Sequence, residues 1–289
     1  EKATKSEPAG ARQKAGLALT RRAQGDAAGG VRDLELAVTR ESGTRSDLML
    51  ISVAMRQQQW DKALTAIDAL EKKEPGKPLA ANLRGLALLG MRDTLNARKS
   101  FERALAIDPG YFPAAANLAR LDLLDKNPAA AQQRFEDMLK KNPRDSQALL
   151  ALAEIRTREK APAAGVVGLL NRAVTASPAE VAPRLALMQY YVRANEAKKA
   201  VLAGQDALNA ISGRPELLDA LGQGQQAAGD DTAALASYGR FAEVAPDSPL
   251  PYLRMAALRG KAGNYEAAAQ NFEHALVIKP DLLEAQRGL

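Results

Sequence analysis

Six prolines, at Pro75, Pro109, Pro143, Pro178, Pro246 and Pro280, each close an apolar run with helical spacing. They are separated by 34, 34, 35, 68 and 34 residues, and 68 is two periods of 34. Proline lacks an N–H and pushes the residue before it out of the α region, so each one marks a helix end. A single globular core gives no reason for such a grid. A short unit repeated in tandem does, because one unit cannot bury its own apolar face and stacked copies share a continuous core.

The stretch from Pro249 to Pro280 shows the unit most clearly. Tyr252, Met255 and Ala256 fall at helical spacing in a first run, and Ala268, Phe272, Ala275, Leu276 and Ile278 in a second. Gly263-Asn264 breaks the two runs with the residue types of a left-handed turn. Residues 1–10 read as a linker or the end of an upstream unit. Eight units then follow at 11–43, 44–77, 78–111, 112–145, 146–180, 181–214, 215–248 and 249–282, and residues 283–289 begin a ninth unit or a cap. The first unit lacks the closing proline, and the sixth ends at Gly213 with Pro215 just beyond. The fifth carries one extra residue near 161–165. In the third, the interval from Asn82 to Ala97 exceeds its counterpart in the fourth by one residue, which predicts an irregular turn between its helices.

Two antiparallel helices in close contact need small residues facing each other. Ala119, Ala153, Gly222 and Ala256 recur at position 8 of the unit, and Ala63, Ala97, Ala131, Ala200, Ala234 and Ala268 at position 20. A larger side chain at position 24 (Ile67, Phe101, Phe135, Tyr238, Phe272) fills the space that the small pair leaves. Composition agrees: helix-forming residues dominate and only 4% of residues are aromatic. The expected fold is an all-α solenoid.

Chemistry is sparse. With no cysteine and one histidine, His274, neither an ordinary zinc site nor a histidine-based triad can be assembled. His274 reads as a solvated residue on a second helix. No phosphate-binding glycine loop occurs, since Gly222-Gln223-Gly224 lies inside a helical run. Asp230-Asp231 reads as a turn and helix start. No catalytic, metal or cofactor-binding residue is nominated, and the chain reads as no enzyme. The net charge of +6 comes from the first 150 residues, and either a solvated surface or an anionic partner accounts for it. Aromatics are not interleaved with basic residues, which disfavours nucleic acid, and no apolar run is long enough for a transmembrane segment.

The pattern Y-x2-M-A … A-x3-F-x2-A … P resembles the tetratricopeptide repeat (TPR) consensus over residues 11 to about 282. That resemblance implies a right-handed superhelix whose first helices line a concave groove for a peptide or protein partner. By register the groove-lining residues are Arg45, Ser52, Arg56, Asn82, Asn117, Arg120, Glu154, Arg158, Gln189, Arg193, Asp219, Gln223 and Lys261. Arg56, Arg158, Arg193 and Lys261 share position 13, so they form either a basic ladder along the groove or ordinary solvated helix faces. The Lys/Asn/Lys/Arg set of chaperone-binding TPR domains is matched only by Asn117. The runs at 63–85, 111–122 and 181–191 also look like the large TPR protein of bacterial PEP-CTERM/exosortase systems, often a lipoprotein encoded with exopolysaccharide genes. This closer resemblance implies an internal piece of a longer array, in the periplasm or at the outer membrane, that scaffolds envelope or polysaccharide assembly. The lipid-bearing cysteine of such lipoproteins is absent, and a cytoplasmic location stays compatible with the sequence. Two other readings follow: a direct binder of anionic exopolysaccharide through the ladder, and the docking domain of a larger enzyme.

Overall fold

A computed structural model describes residues 44–289; the expected linker 1–10 and first unit 11–43 lie outside the described residues. Among the described residues there are fifteen α-helices and no strand. They fall into two compact units, which divide between Lys141 and Asn142.

The described part of the first unit contains three hairpins: α1 (Arg45–Arg56) with α2 (Trp60–Lys73), α3 (Pro78–Gly90) with α4 (Thr94–Ile107), and α5 (Phe112–Leu124) with α6 (Pro128–Lys141). The second has four: α7 (Ser146–Arg158) with α8 (Ala163–Ala176), α9 (Val181–Arg193) with α10 (Ala197–Ala210), α11 (Pro215–Ala227) with α12 (Asp231–Val244), and α13 (Leu250–Lys261) with α14 (Tyr265–Ile278). A short α15 (Leu283–Gly288) packs on α14 through the buried Ala285.

Helix starts and stops follow from local chemistry. Asp93, Asp145, Asp230 and Asn264 each accept a hydrogen bond from the backbone N–H three residues on, which satisfies a donor that the first turn leaves open. Second helices end on an extended residue before the recurring proline, as at Asp108 (φ −135°, ψ 101°) and Lys279 (φ −138°, ψ 94°). Ile211 takes the same conformation (φ −137°, ψ 90°) with no proline after it. The stack therefore imposes this ending, and proline reinforces it.

Every hairpin turn among the described residues contains one left-handed residue: Gln58, Arg92, Lys126, Lys160, Asn195, Gly229 or Gly263. The residue after it closes back on the first helix with a six-residue bond of Schellman type, as from Asp93 N to Leu88 O (2.9 Å). Only two of the seven are glycines, although a side chain disfavours this region. The turn of the third unit, Met91-Arg92-Asp93, corrects the expectation of irregularity: it has the same three-residue length as the turn from α5 to α6. Asn82 stands at position 5 of its repeat and Asn117 at position 6, which accounts for the longer interval. The turn from α7 to α8 absorbs the extra residue and runs to four.

Small residues set the contact distance inside the hairpins. A Cβ placed on Gly85 would lie 2.4 Å from Phe101 Cε1, and one on Gly222 would lie 2.4 Å from Tyr238 Cε1. Hairpin α9–α10 reverses the arrangement. Met188 stands at the small position and Gly204 at the large one, and a Cβ on Gly204 would come within 2.8 Å of Met188 Cε. The paired volume stays roughly constant while its owner changes, as a close-packed interior requires.

Ion pairs tie successive helices within the first unit. Asp122 on α5, with a side chain only 6% exposed, accepts from Arg98 of α4 (2.6 Å) and Arg134 of α6 (2.5 Å). Glu71 of α2 meets both Arg84 of α3 (3.1 Å) and Arg103 of α4 (2.5 Å).

Candidate functional site

A cleft of about 570 Å³ lies wholly in the second unit. Its walls are the exposed faces of the first helices α9 and α11, with the end of α12 and the start of α13 closing one side. Leu185, Met188, Val192, Phe241 and Leu250 make an apolar floor, while Gln189, Gln223, Arg193 and Glu216 supply polar groups. These residues meet because a helix places positions 5, 8, 9 and 12 on one face, and stacking sets that face beside its copy.

Four residues expected at the groove, Gln189, Arg193, Asp219 and Gln223, stand on this cleft. Asp219 is held there by a two-point contact from Arg254 on α13, at 3.0 and 3.3 Å, and by the Gln223 side-chain amide at 2.6 Å. Beneath it, burial and the Asp219 charge push the Tyr238 phenol up to about 12, so the ring stays neutral; its hydroxyl donates to Gln226 at 3.3 Å. Burial works against the Arg254 charge, but the hydrogen bond and charge of Asp219 outweigh it and raise its pKa.

The other expected residues are placed differently. Asn82 is a correction: it is 5% exposed, and its side-chain oxygen accepts from Asn117 at 3.1 Å between successive first helices. A buried amide needs a partner, and Asn117 supplies it, so Asn82 presents nothing to a ligand. Arg45, Ser52, Arg56 and Arg120 are exposed in the first unit, with Arg56 Nε donating to the Ser52 carbonyl at 3.2 Å. In the second unit the basic residues at position 13 have acidic neighbours. Arg158 meets Glu154 at 2.9 Å, Arg193 approaches the same carboxylate at 3.8 Å, and Lys261 lies 4.0 Å from Asp231. His274 is exposed and stacks on Tyr252 with centroids 4.8 Å apart.

Sequence reasoning missed Arg254 and Glu216. The signal for Arg254 was available in the spacing: Asp219 and Arg254 are 35 residues apart, as are Asn82 and Asn117. Both pairs join position 5 of one first helix to position 6 of the next. No group of three or more His, Asp or Glu among the described residues is arranged to hold a metal ion, and no described helix is long and apolar enough to cross a membrane.

Stacked antiparallel hairpins with a ligand-sized cleft on the first-helix face define the class, an α-solenoid repeat protein. Residues 48–112 and 88–155 match two tetratricopeptide repeat family models, and the hairpins of the described residues have the all-helical fold of such repeats. A 100-residue segment is 29% identical to Superkiller complex protein 3 of Mus musculus, covering 35% of this chain and 6% of that relative's length. Among solved structures, yeast Tom70 aligns over 100% of this chain and 64% of its own (TM-score 0.65, 13% identity). A tetratricopeptide repeat protein from Parabacteroides merdae aligns over 84% and 96% (TM-score 0.53, 15% identity). At these identities the likeness is one of fold.

Proposed function

We propose that this chain is a non-enzymatic scaffold that binds a peptide or protein partner on the first-helix face of its second unit. The observation that carries this reading is the cleft between α9 and α11. Its volume falls within the range of small-ligand pockets, its floor is aliphatic and aromatic, and side-chain amides at equivalent positions of two repeats stand on its walls. An extended backbone offers N–H and C=O groups to such amides, and its side chains fill the apolar floor.

The cellular setting belongs to the same proposal. The resemblance of residues 63–85, 111–122 and 181–191 to exosortase-linked proteins supports a place in envelope or exopolysaccharide assembly, in the periplasm or at the outer membrane. Fractionation of cells expressing the full-length gene tests this: recovery with periplasmic or outer-membrane markers is expected, and recovery only with cytosolic markers contradicts it. A polyanionic sugar is the weaker ligand, because Glu154 and Asp231 already offset Arg158 and Lys261, which leaves Arg193 without a ladder of free charges beside it.

The binding claim is tested by selection from a random peptide library. The wild-type protein is expected to enrich peptides that Gln189→Trp, which crowds the exposed wall of the cleft, binds at least tenfold more weakly. Equal binding by both proteins, with circular dichroism unchanged, removes the cleft as the site.

A further inference from the structure

Beyond the presence of a cleft, the charges around it differ from end to end. Arg193 occupies position 13 near the end of α9, and Glu216 occupies position 2 at the start of α11. Eleven positions of a helix separate these levels, or roughly 16 Å at 1.5 Å per residue. An extended chain covers that distance in about five residues.

Neither end charge is tightly satisfied within the protein. The nearest acid to Arg193 is Glu154 at 3.8 Å, and that carboxylate is already held by Arg158 at 2.9 Å. The Arg193 and Glu154 side chains are 56% and 46% exposed, so solvent screens the contact. Among the described residues Glu216 has Arg214 within 4 Å, at 3.6 Å, and both are about half exposed. The middle of the cleft is different. Asp219 is neutralised by Arg254 and Gln223, and Leu185, Met188, Val192, Phe241 and Leu250 lie around it. The cleft thus presents a cation, Arg193, at one end and a carboxylate, Glu216, at the other, with Arg214 beside Glu216 but off the lining, and it is apolar and charge-balanced between them.

We infer that the occupant of this cleft is a short extended protein segment with an apolar centre of about five residues, flanked by an acidic residue that meets Arg193 and a basic residue that meets Glu216. This rests on the peptide-binding reading above and adds the chemistry of the ligand to it. Charges at the rim of an apolar site act chiefly on selectivity: they reject segments whose ends carry the wrong sign and set the register of those that fit.

The test uses four pools of blocked heptapeptides that share the same randomised apolar centre of five residues. Their end residues are Lys and Glu, Glu and Lys, Glu at both ends, or Lys at both ends. At low salt the wild-type protein is expected to bind at least one mixed pool about tenfold more tightly than either like-charged pool, with the preference shrinking as salt is raised. Glu216→Arg makes both ends positive and is expected to move the preference to the pool with Glu at both ends. Arg193→Glu is expected to move it to the pool with Lys at both ends. Both residues are exposed, and circular dichroism checks that the variants stay folded. Equal binding of all four pools, or a preference that ignores the reversals, overturns the assignment of end charges while leaving peptide binding intact. Binding of no pool overturns the peptide reading as well.

Discussion

At the scale of single residues, this fold depends on where volume is withheld. Gly222 allows the Tyr238 ring to approach α11 closely, and any β-carbon there would overlap the ring. Gly222→Ala is therefore expected to destabilise the protein by about 1–3 kcal/mol, the usual cost of overpacking. The denaturant midpoint measures this, and shrinking the ring with Tyr238→Leu should recover part of the loss. An unchanged midpoint in Gly222→Ala would mean that the contact is looser than described. The sequence shows this principle where one residue type recurs in phase, as with the alanines at position 20. It conceals it in α9 and α10, where Met188 and Gly204 exchange sizes, because a periodic reading looks for the same size at the same position. The left-handed turns were legible at Gly229 and Gly263 for the same reason. They were not legible at Arg92, Lys126 or Lys160, where the stack imposes a conformation that the residue does not favour.

At the scale of elements, buried ion pairs set how neighbouring helices register. Asp122 joins α4, α5 and α6 through two arginines. Burial pushes its carboxyl up, but the hydrogen bonds and charges of Arg134 and Arg98 outweigh that and leave its pKa lowered. A group with a lowered folded-state pKa contributes stability above its unfolded value and loses it as pH falls through the folded value. Stability from this site should be complete at neutral pH and decline on acidification below about pH 4. Asp122→Asn is expected to cost about 3 kcal/mol at pH 7, as when a buried pair loses one partner. It should also flatten the acid limb of the stability profile, and an unchanged limb would assign the acid sensitivity elsewhere. Such pairs were hard to read from sequence because they link residues 12 to 32 positions apart, with no fixed motif. Asp219 and Arg254 were legible in principle, since their 35-residue spacing repeats that of Asn82 and Asn117, but each link joins two repeats and is invisible within one first helix. For the same reason Asn82 reads as open on its own helix, whereas its side chain is buried and paired with Asn117 of the next.

At the scale of the molecule, the repeat grid makes function a property of a surface, since one hairpin supplies only a strip of it. Proline spacing and the small-large pattern revealed the all-helical solenoid because packing requires both in every copy. The surface residues were legible only as positions, because no packing rule dictates their identity. What Gln189, Arg193, Asp219 and Gln223 do depends on Glu216, Arg254 and Phe241, which the stack brings beside them. The proposed function places a peptide on the first-helix face of the second unit. Methyl NMR spectra of the protein with and without a library-selected peptide test it most directly. Resonances of Leu185, Met188, Val192 and Leu250 at the cleft should shift, while those of Leu202 and Val277, exposed on second helices, should stay in place. Shifts confined to Leu202 and Val277, with the cleft methyls unmoved, would contradict the account.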